Sequence, residues 1–272
     1  MSLTSTFVCG YNHSMGAVAF TIFGLEIYWY GIIISVAIIV AFVLASFIMR
    51  RIGFRDEIVF EVLLCIIPLG IFGARLFYVI SDGMPITEFF NFRSGGIAIY
   101  GAIIAGALGI LLYTKVIRKC SFFAISDIVV LVLILAQSIG RWGNYFNQEV
   151  YGLSTGSFHF FPLTVMVGGT GRLALFFYES ILNLIGFFIL YKVFTRQKNY
   201  GTTSAVYLII YGTIRMGLEL LRDPAYILDN FGFPVSFVIS IVAVVSGIVL
   251  LYLGHLGKLN QNDAALRAKK ET

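Results

Sequence analysis

Seven nearly uninterrupted apolar stretches constrain this chain more than any other feature. They run from Ile27 to Met49, Ile58 to Ile80, Ile97 to Val116, Ser121 to Ile139, Ala174 to Phe194, Thr203 to Leu221 and Pro234 to Leu253. A helix needs roughly 20 residues to cross about 30 Å of hydrocarbon. The expected fold is therefore all-α: a polytopic membrane protein with seven transmembrane helices (27–49, 58–80, 97–116, 121–139, 174–194, 203–221, 234–253) forming one integral-membrane domain over 1–272. With 59% hydrophobic and only 12% charged residues, the chain has too little polar surface for a soluble domain. The first thirty residues lack a basic head and a small-residue cleavage site, so they do not read as a signal peptide. Met15 to Leu25 is expected as an apolar arm at the membrane interface.

Orientation follows from the basic residues, because cytoplasmic loops carry an excess of Lys and Arg. Thirteen of the nineteen fall in three alternate loops and the C-terminal tail: Arg50, Arg51, Arg55, Lys115, Arg118, Lys119, Lys192, Arg196, Lys198, Lys258, Arg267, Lys269 and Lys270. This pattern puts the N-terminus outside and the tail 254–272 in the cytoplasm, with an extracytoplasmic loop at 140–173 between spans four and five. The remaining six, Arg75, Arg93, Arg141, Arg172, Arg215 and Arg222, all fall on the outer side, and none is Lys. A planar guanidinium suits two-point contact with phosphate or carboxylate and keeps its charge when partly buried. An anionic ligand at the outer leaflet is the reading this favours; the plainer one is interfacial anchoring by snorkelling side chains. Arg75 and Arg215 fit that plainer reading less well, since both lie inside apolar spans.

Two polar constellations stand out. The fourth span ends in GRWGNYFNQEVYG at 140–152, where one more helical turn would put Arg141 and Asn144 on one face at i and i+3. In the sixth span Arg215, Glu219 and Arg222, at i, i+4 and i+7, form one charged stripe. The Arg215–Glu219 pair either fixes packing or aims a guanidinium at a ligand, and the two roles are compatible. Tyr100 precedes a run of small residues, Gly101, Ala105, Gly106 and Gly109, that reads as a helix-packing face; Tyr100 itself fits an interfacial aromatic or a proton-transfer group. Asp127 reads as a helix-start residue favoured by the dipole, and Glu179 as an acidic group near the external arginines. Cys9, Cys65 and Cys120 are expected at different depths, so no disulfide framework is implied. The scattered His13, His159 and His255 give no ligand spacing, so neither metal nor cofactor is expected. Nor is a nucleic-acid partner.

These residues resemble one family closely. GRWGNYFNQEVYG looks like the signature of prolipoprotein diacylglyceryl transferases, supported in the family's order by WYG at 29–31, GARLFYV at 73–79, GGIAIYG at 95–101, YES at 178–180 and YGTIRMGLELLR at 211–222. The resemblance implies transfer of the diacylglyceryl group of phosphatidylglycerol to the lipobox cysteine thiol of preprolipoproteins at the bacterial inner membrane, with release of glycerol phosphate. It implies Arg141 and Arg215 as catalytic residues, with Tyr30, Asn144, Glu149, Gly152, Glu219 and Arg222 binding substrate; Arg75, a cation inside an apolar span, is expected to bind substrate too, and Tyr100 is expected as a catalytic residue that relays or orients a proton. Relatives often carry His-Gly where this chain has Tyr100-Gly101, and His-Pro where it has Leu173-Ala174. The competing functional class is a transporter or flippase of an anionic lipid, but no internal repeat is visible and the polar groups gather at one end of the spans.

Overall fold

The computed structural model describes residues 18–91, 98–224, 235–259 and 261–267. Among them are seven α-helices: α1 (Trp29–Arg51), α2 (Glu57–Ser81), α3 (Ile99–Leu112), α4 (Phe122–Asn147), α5 (Leu175–Arg196), α6 (Thr202–Glu219) and α7 (Val235–His255). Six are long and apolar enough to cross a membrane, α3 when its continuation to Ile117 is included, which makes this a multi-pass membrane protein. The exception is α6, whose 18 residues include Thr202, Thr203, Ser204, Thr213, Arg215 and Glu219. The all-α expectation needs a small addition. There are two antiparallel sheets, a hairpin of β1 (Val18–Ile22) and β2 (Leu25–Tyr28), and a three-stranded sheet of β3 (Ser154–Gly156), β4 (Thr164–Val167) and β5 (Thr170–Leu173) in the order β3-β5-β4.

The chain forms two compact units, and α1 and α4 each contribute to both. In the first unit, which includes residues 45–126, α2 packs on the small-residue face of α3. A side chain at Gly73 would press on the Gly101 carbonyl at 2.7 Å, and one at Gly109 would meet Cys65 and Leu69. Such a stripe lets two helix backbones approach closely. Farther along, the Tyr113 hydroxyl donates to Glu61 Oε2 at 2.5 Å and Arg118 pairs with the same carboxylate, closing the far end of the α2–α3 pair. The segment 261–267 packs here too. Leu266 is fully buried, its carbonyl accepts from the Arg55 amide at 2.9 Å, and the Asn262 carbonyl accepts from Ser121 at 2.7 Å.

The second unit, which includes residues 12–44 and 127–259, holds most of α1 and α4 with α5, α6 and α7. Ser138 of α4 and Ser180 of α5 each donate to the other's carbonyl, at 2.7 and 2.8 Å. Gly212 and Gly247 let α6 and α7 meet backbone to backbone. The expected arm at 15–25 is, over its described part, the β1–β2 hairpin; Phe23 and Gly24 at its tip have φ of 49° and 81°, as a two-residue hairpin turn requires. The segment expected as a loop at 140–173 is more ordered than that. Its first two turns belong to α4, and much of the remainder forms the β3–β5 sheet.

Asp127 acts on a different helix from the one it belongs to. It sits in the second turn of α4, fully buried, and caps α6: Oδ2 accepts from the Gly201 amide at 2.7 Å, and Oδ1 accepts from the Ser204 amide at 2.8 Å and its hydroxyl at 2.6 Å. A carboxylate at a helix N-terminus satisfies amides that the helix itself leaves open. Asp127→Ala is expected to cost about 2 kcal/mol, read as a melting midpoint several degrees lower in detergent.

Candidate active site

The helical turns that α4 adds beyond Ile139 put Arg141 and Asn144 on one face, 3.4 Å apart from Nη1 to Oδ1. Asn144 and Asn147 then both donate to Glu149 Oε1, at 2.9 and 3.2 Å. The chain turns sharply around that glutamate: Gln148 and Val150 both have positive φ, 52° and 60°. For a β-branched residue this is a strained conformation costing about 1–3 kcal/mol, of a kind that clusters at functional sites.

Glu179, in the second turn of α5, joins two arginines from different helices. Its Oε1 lies 2.7 Å from Arg141 Nη2 on α4, and its Oε2 lies 3.0 Å from Arg215 Nη1 on α6. Arg215 also reaches Glu219 at 3.5 Å, and Glu219 in turn holds Arg222 at 3.2 Å. Arg222 lies just past the end of α6; burial lowers its pKa from the ordinary value, and Glu219 opposes that shift. Behind the cluster Tyr211 stacks on Tyr207, and Gln137 donates to Tyr207 at 3.0 Å.

Arg222 is placed from two sides, by the end of α6, where its amide donates to the Glu219 carbonyl at 3.2 Å, and by backbone pairing with the segment 151–153. The Leu153 amide donates to the Leu221 carbonyl at 2.9 Å, the Asp223 amide to Tyr151 at 3.2 Å, and the Gly152 amide to Leu173 at 2.9 Å. Segment 151–153 is thus held between the end of β5 and the chain following α6. Gly152 stands where a Cβ would meet the Leu221 carbonyl and the Leu173 side chain, each at 2.8 Å. An ion pair between Arg172 and Asp223 closes the same junction.

Arg141, Asn144, Glu179, Arg215, Glu219 and Arg222 line a small cavity of about 10 Å³ open to the centre of a water-sized sphere, which is room for about one water. Three guanidinium groups against two carboxylates (+3 and −2) leave one net positive charge. That balance suits an anion with a single charge, such as a phosphodiester.

The sequence comparisons bear directly on this arrangement. Residues 17–253 match the model of the family described as prolipoprotein diacylglyceryl transferase. The chain belongs to that family. It is 35% identical to the phosphatidylglycerol–prolipoprotein diacylglyceryl transferase of Clostridioides difficile over 92% of this chain and 98% of that protein. It is 34% identical to the Finegoldia magna enzyme of that name, covering 87% of this chain and 94% of the relative. For the Enterococcus faecalis enzyme, also of that name, the identity is 37%, over 87% and 90%.

Of the residues that the sequence marked, Arg141, Asn144, Arg215, Glu219 and Arg222 come together around the cavity. Five others, Gly152, Tyr30, Glu149, Arg75 and Tyr100, have different surroundings. Gly152 is a point of close backbone approach. Tyr30, on α1, lays its ring against Gly143, where an added Cβ would meet it at 2.6 Å. Glu149 orders Asn144 and Asn147 and does not line the cavity. Arg75, in the first unit, is completely buried, and its guanidinium donates to the carbonyls of Glu88, Phe89 and Asn91 at 2.6 to 3.2 Å. That arginine holds the turn 86–91. Tyr100, half-buried near the start of α3, also belongs to the first unit, with its ring 6.5 Å from Phe77. Arg93 lies outside the described residues. Glu179, marked in the sequence as an acidic group near the external arginines and able to orient one of them, contacts two of them.

Gly152→Ala is expected to separate the 151–153 segment from Leu221, costing about 1–3 kcal/mol and moving Arg222. Thermal unfolding in detergent reads the first effect, and transfer activity the second. Glu179→Gln is expected to be more damaging, at about 3–5 kcal/mol, because it leaves two buried guanidinium groups without their shared counter-charge. A thermal midpoint unchanged from wild type would contradict this.

Proposed function

We propose that this chain transfers the diacylglyceryl group of phosphatidylglycerol to the lipobox cysteine thiol of preprolipoproteins. The observation that carries the reading is the convergence of Arg141, Arg215 and Arg222 on one cavity with one net positive charge, in a member of this transferase family. The relatives' names supply the two substrates. The charge bias along the sequence supports seven spans, α6 among them, with the N-terminus outside and the site toward the outer leaflet of the bacterial inner membrane.

In the reaction the cysteine sulfur attacks the glyceryl carbon that bears the phosphate. The carbon–oxygen bond breaks, its electron pair stays on the phosphate oxygen, and glycerol phosphate leaves with one more negative charge than the diester had. Arg141 and Arg215 meet that developing charge. In a water-poor site, one such donor contributes on the order of 3 kcal/mol, or about 100-fold in rate. Glu179 holds both guanidinium groups in place before substrate arrives, so they need little reorganisation during the step. Asn144 and Glu149 shape the headgroup end of the site.

The thiol proton has an undemanding route. A thiol of pKa about 8.5 is already partly ionised near neutrality, and neighbouring guanidinium groups increase that fraction. Tyr100, standing where many relatives have His, relays or orients this proton; a neutral phenol accepts a proton far less readily than a neutral imidazole.

Incubating purified protein with phosphatidylglycerol and a lipobox peptide is expected to add a diacylglyceryl mass to the peptide cysteine. Lipid moving between leaflets without any adduct would instead indicate a transporter, and binding alone a scaffold. Arg141→Lys is expected to lose most activity, since a point charge cannot reproduce a two-point contact; wild-type turnover by the folded variant would sink that role. Tyr100→Phe retaining activity within about threefold, roughly 0.7 kcal/mol, would remove Tyr100 from the proton's path.

A further inference from the structure

A second cavity lies at the opposite end of α6 from the arginine cluster, between the α5–α6 turn and the last turn of α7. It is much larger than the first, about 250 Å³ by the same measure. Its polar side is formed by Lys198, Asn199 and Thr202, with His255 across from them, and its apolar wall by Leu250 and Leu251. No Asp or Glu lines it. Asp127, the carboxylate at the start of α6, is fully buried and occupied by Gly201 and Ser204.

The start of α6 reinforces this polarity. Of the amides from Gly201 to Ser204, three donate to side chains: Gly201 and Ser204 to Asp127, and Thr203 to Gln197 at 3.1 Å. Thr202, which lines the cavity, is the one whose amide has no acceptor among the described residues. Asp127 offsets much of the helix dipole, so Lys198 and His255 carry most of the attraction for an anion. One hydrogen bond, from Asn199 Nδ2 to the Gly254 carbonyl at 3.4 Å, joins the two sides.

The outer face of α7 beside the cavity suits a lipid. Ile248, Val249 and Tyr252 are exposed at 55%, 50% and 63%, a strip of apolar and interfacial side chains running away from the polar end. An occupant must therefore present a negative head to Lys198 and His255 and lay hydrocarbon along α7. A free phosphate satisfies the first requirement only.

We infer that this cavity binds the headgroup of an anionic phospholipid, distinct from the lipid consumed at the arginine cluster, and that this lipid braces the start of α6 against the end of α7. With the orientation proposed above, on which this inference rests, the lipid comes from the cytoplasmic leaflet, where anionic headgroups are drawn to basic clefts between helices.

Native mass spectrometry of the full-length protein in detergent tests this with phosphatidylserine, which is not the lipid consumed in the transfer reaction, against phosphatidylcholine. Wild type is expected to retain one more phosphatidylserine than the Lys198→Glu, His255→Glu double variant and to bind it at least about tenfold more tightly than that variant does. Millimolar inorganic phosphate is expected not to displace it. Equal retention by both proteins, equal retention of phosphatidylcholine, or displacement by inorganic phosphate would each overturn the inference. Both substituted positions are exposed, so the variant keeps its core. The peptide assay is independent of this measurement: a chain that retains the serine lipid but forms no adduct refutes the transferase reading alone.

Discussion

The arrangement of the site depends on one carboxylate. Glu179 offers each of its oxygens to a guanidinium from a different helix, Arg141 on α4 and Arg215 on α6. Charges in an apolar helix bundle are costly unless paired, so the three helices are pressed toward the one arrangement that pairs them. The Ser138–Ser180 exchange one turn away holds α4 and α5 at matching heights, which keeps Glu179 level with Arg141. The same pairing leaves the cluster with one net positive charge, and that residual charge is what an incoming phosphodiester meets.

Much of the remaining architecture brings a third arginine to this centre. Arg222 arrives through strand-like pairing of 151–153 with Leu221 and Asp223, and that pairing tolerates no side chain at Gly152. The sharp turn at Gln148 and Val150 reverses the chain from α4 into this segment and leaves Glu149 bridging Asn144 and Asn147. Strain of this kind persists only where the surroundings over-determine it; here those surroundings are the two asparagines and the paired segment.

At the other end of α6, Asp127 serves a structural purpose with the same chemistry. A buried carboxylate takes three donors from the start of α6, fixing that end of the helix whose far end carries Arg215 and Glu219. α6 is less apolar than its neighbours because it is anchored by polar contacts at both ends.

The hydrophobic runs were sufficient to locate the helices, since spans of this length and composition have few alternatives in a bilayer. The i, i+3 and i+4 spacings likewise anticipated Arg141 with Asn144 and Arg215 with Glu219, because a helix turns such positions to one side whatever surrounds it. What spacing could not show is which arginines share a counter-charge. Arg75 and Arg215 each lie inside an apolar span, Arg215 with Glu219 four residues on. Tertiary packing turns one toward three backbone carbonyls and the other toward Glu179. The surroundings of Gly152 and Asp127 are set the same way: one packs against a carbonyl 69 residues away in the chain, at Leu221, and the other acts on the amides of a different helix. The sequence by itself determined the helices and the charge that each one carries; only the tertiary structure decided which charges meet, because pairing between helices depends on their rotation and height, and no local pattern records those.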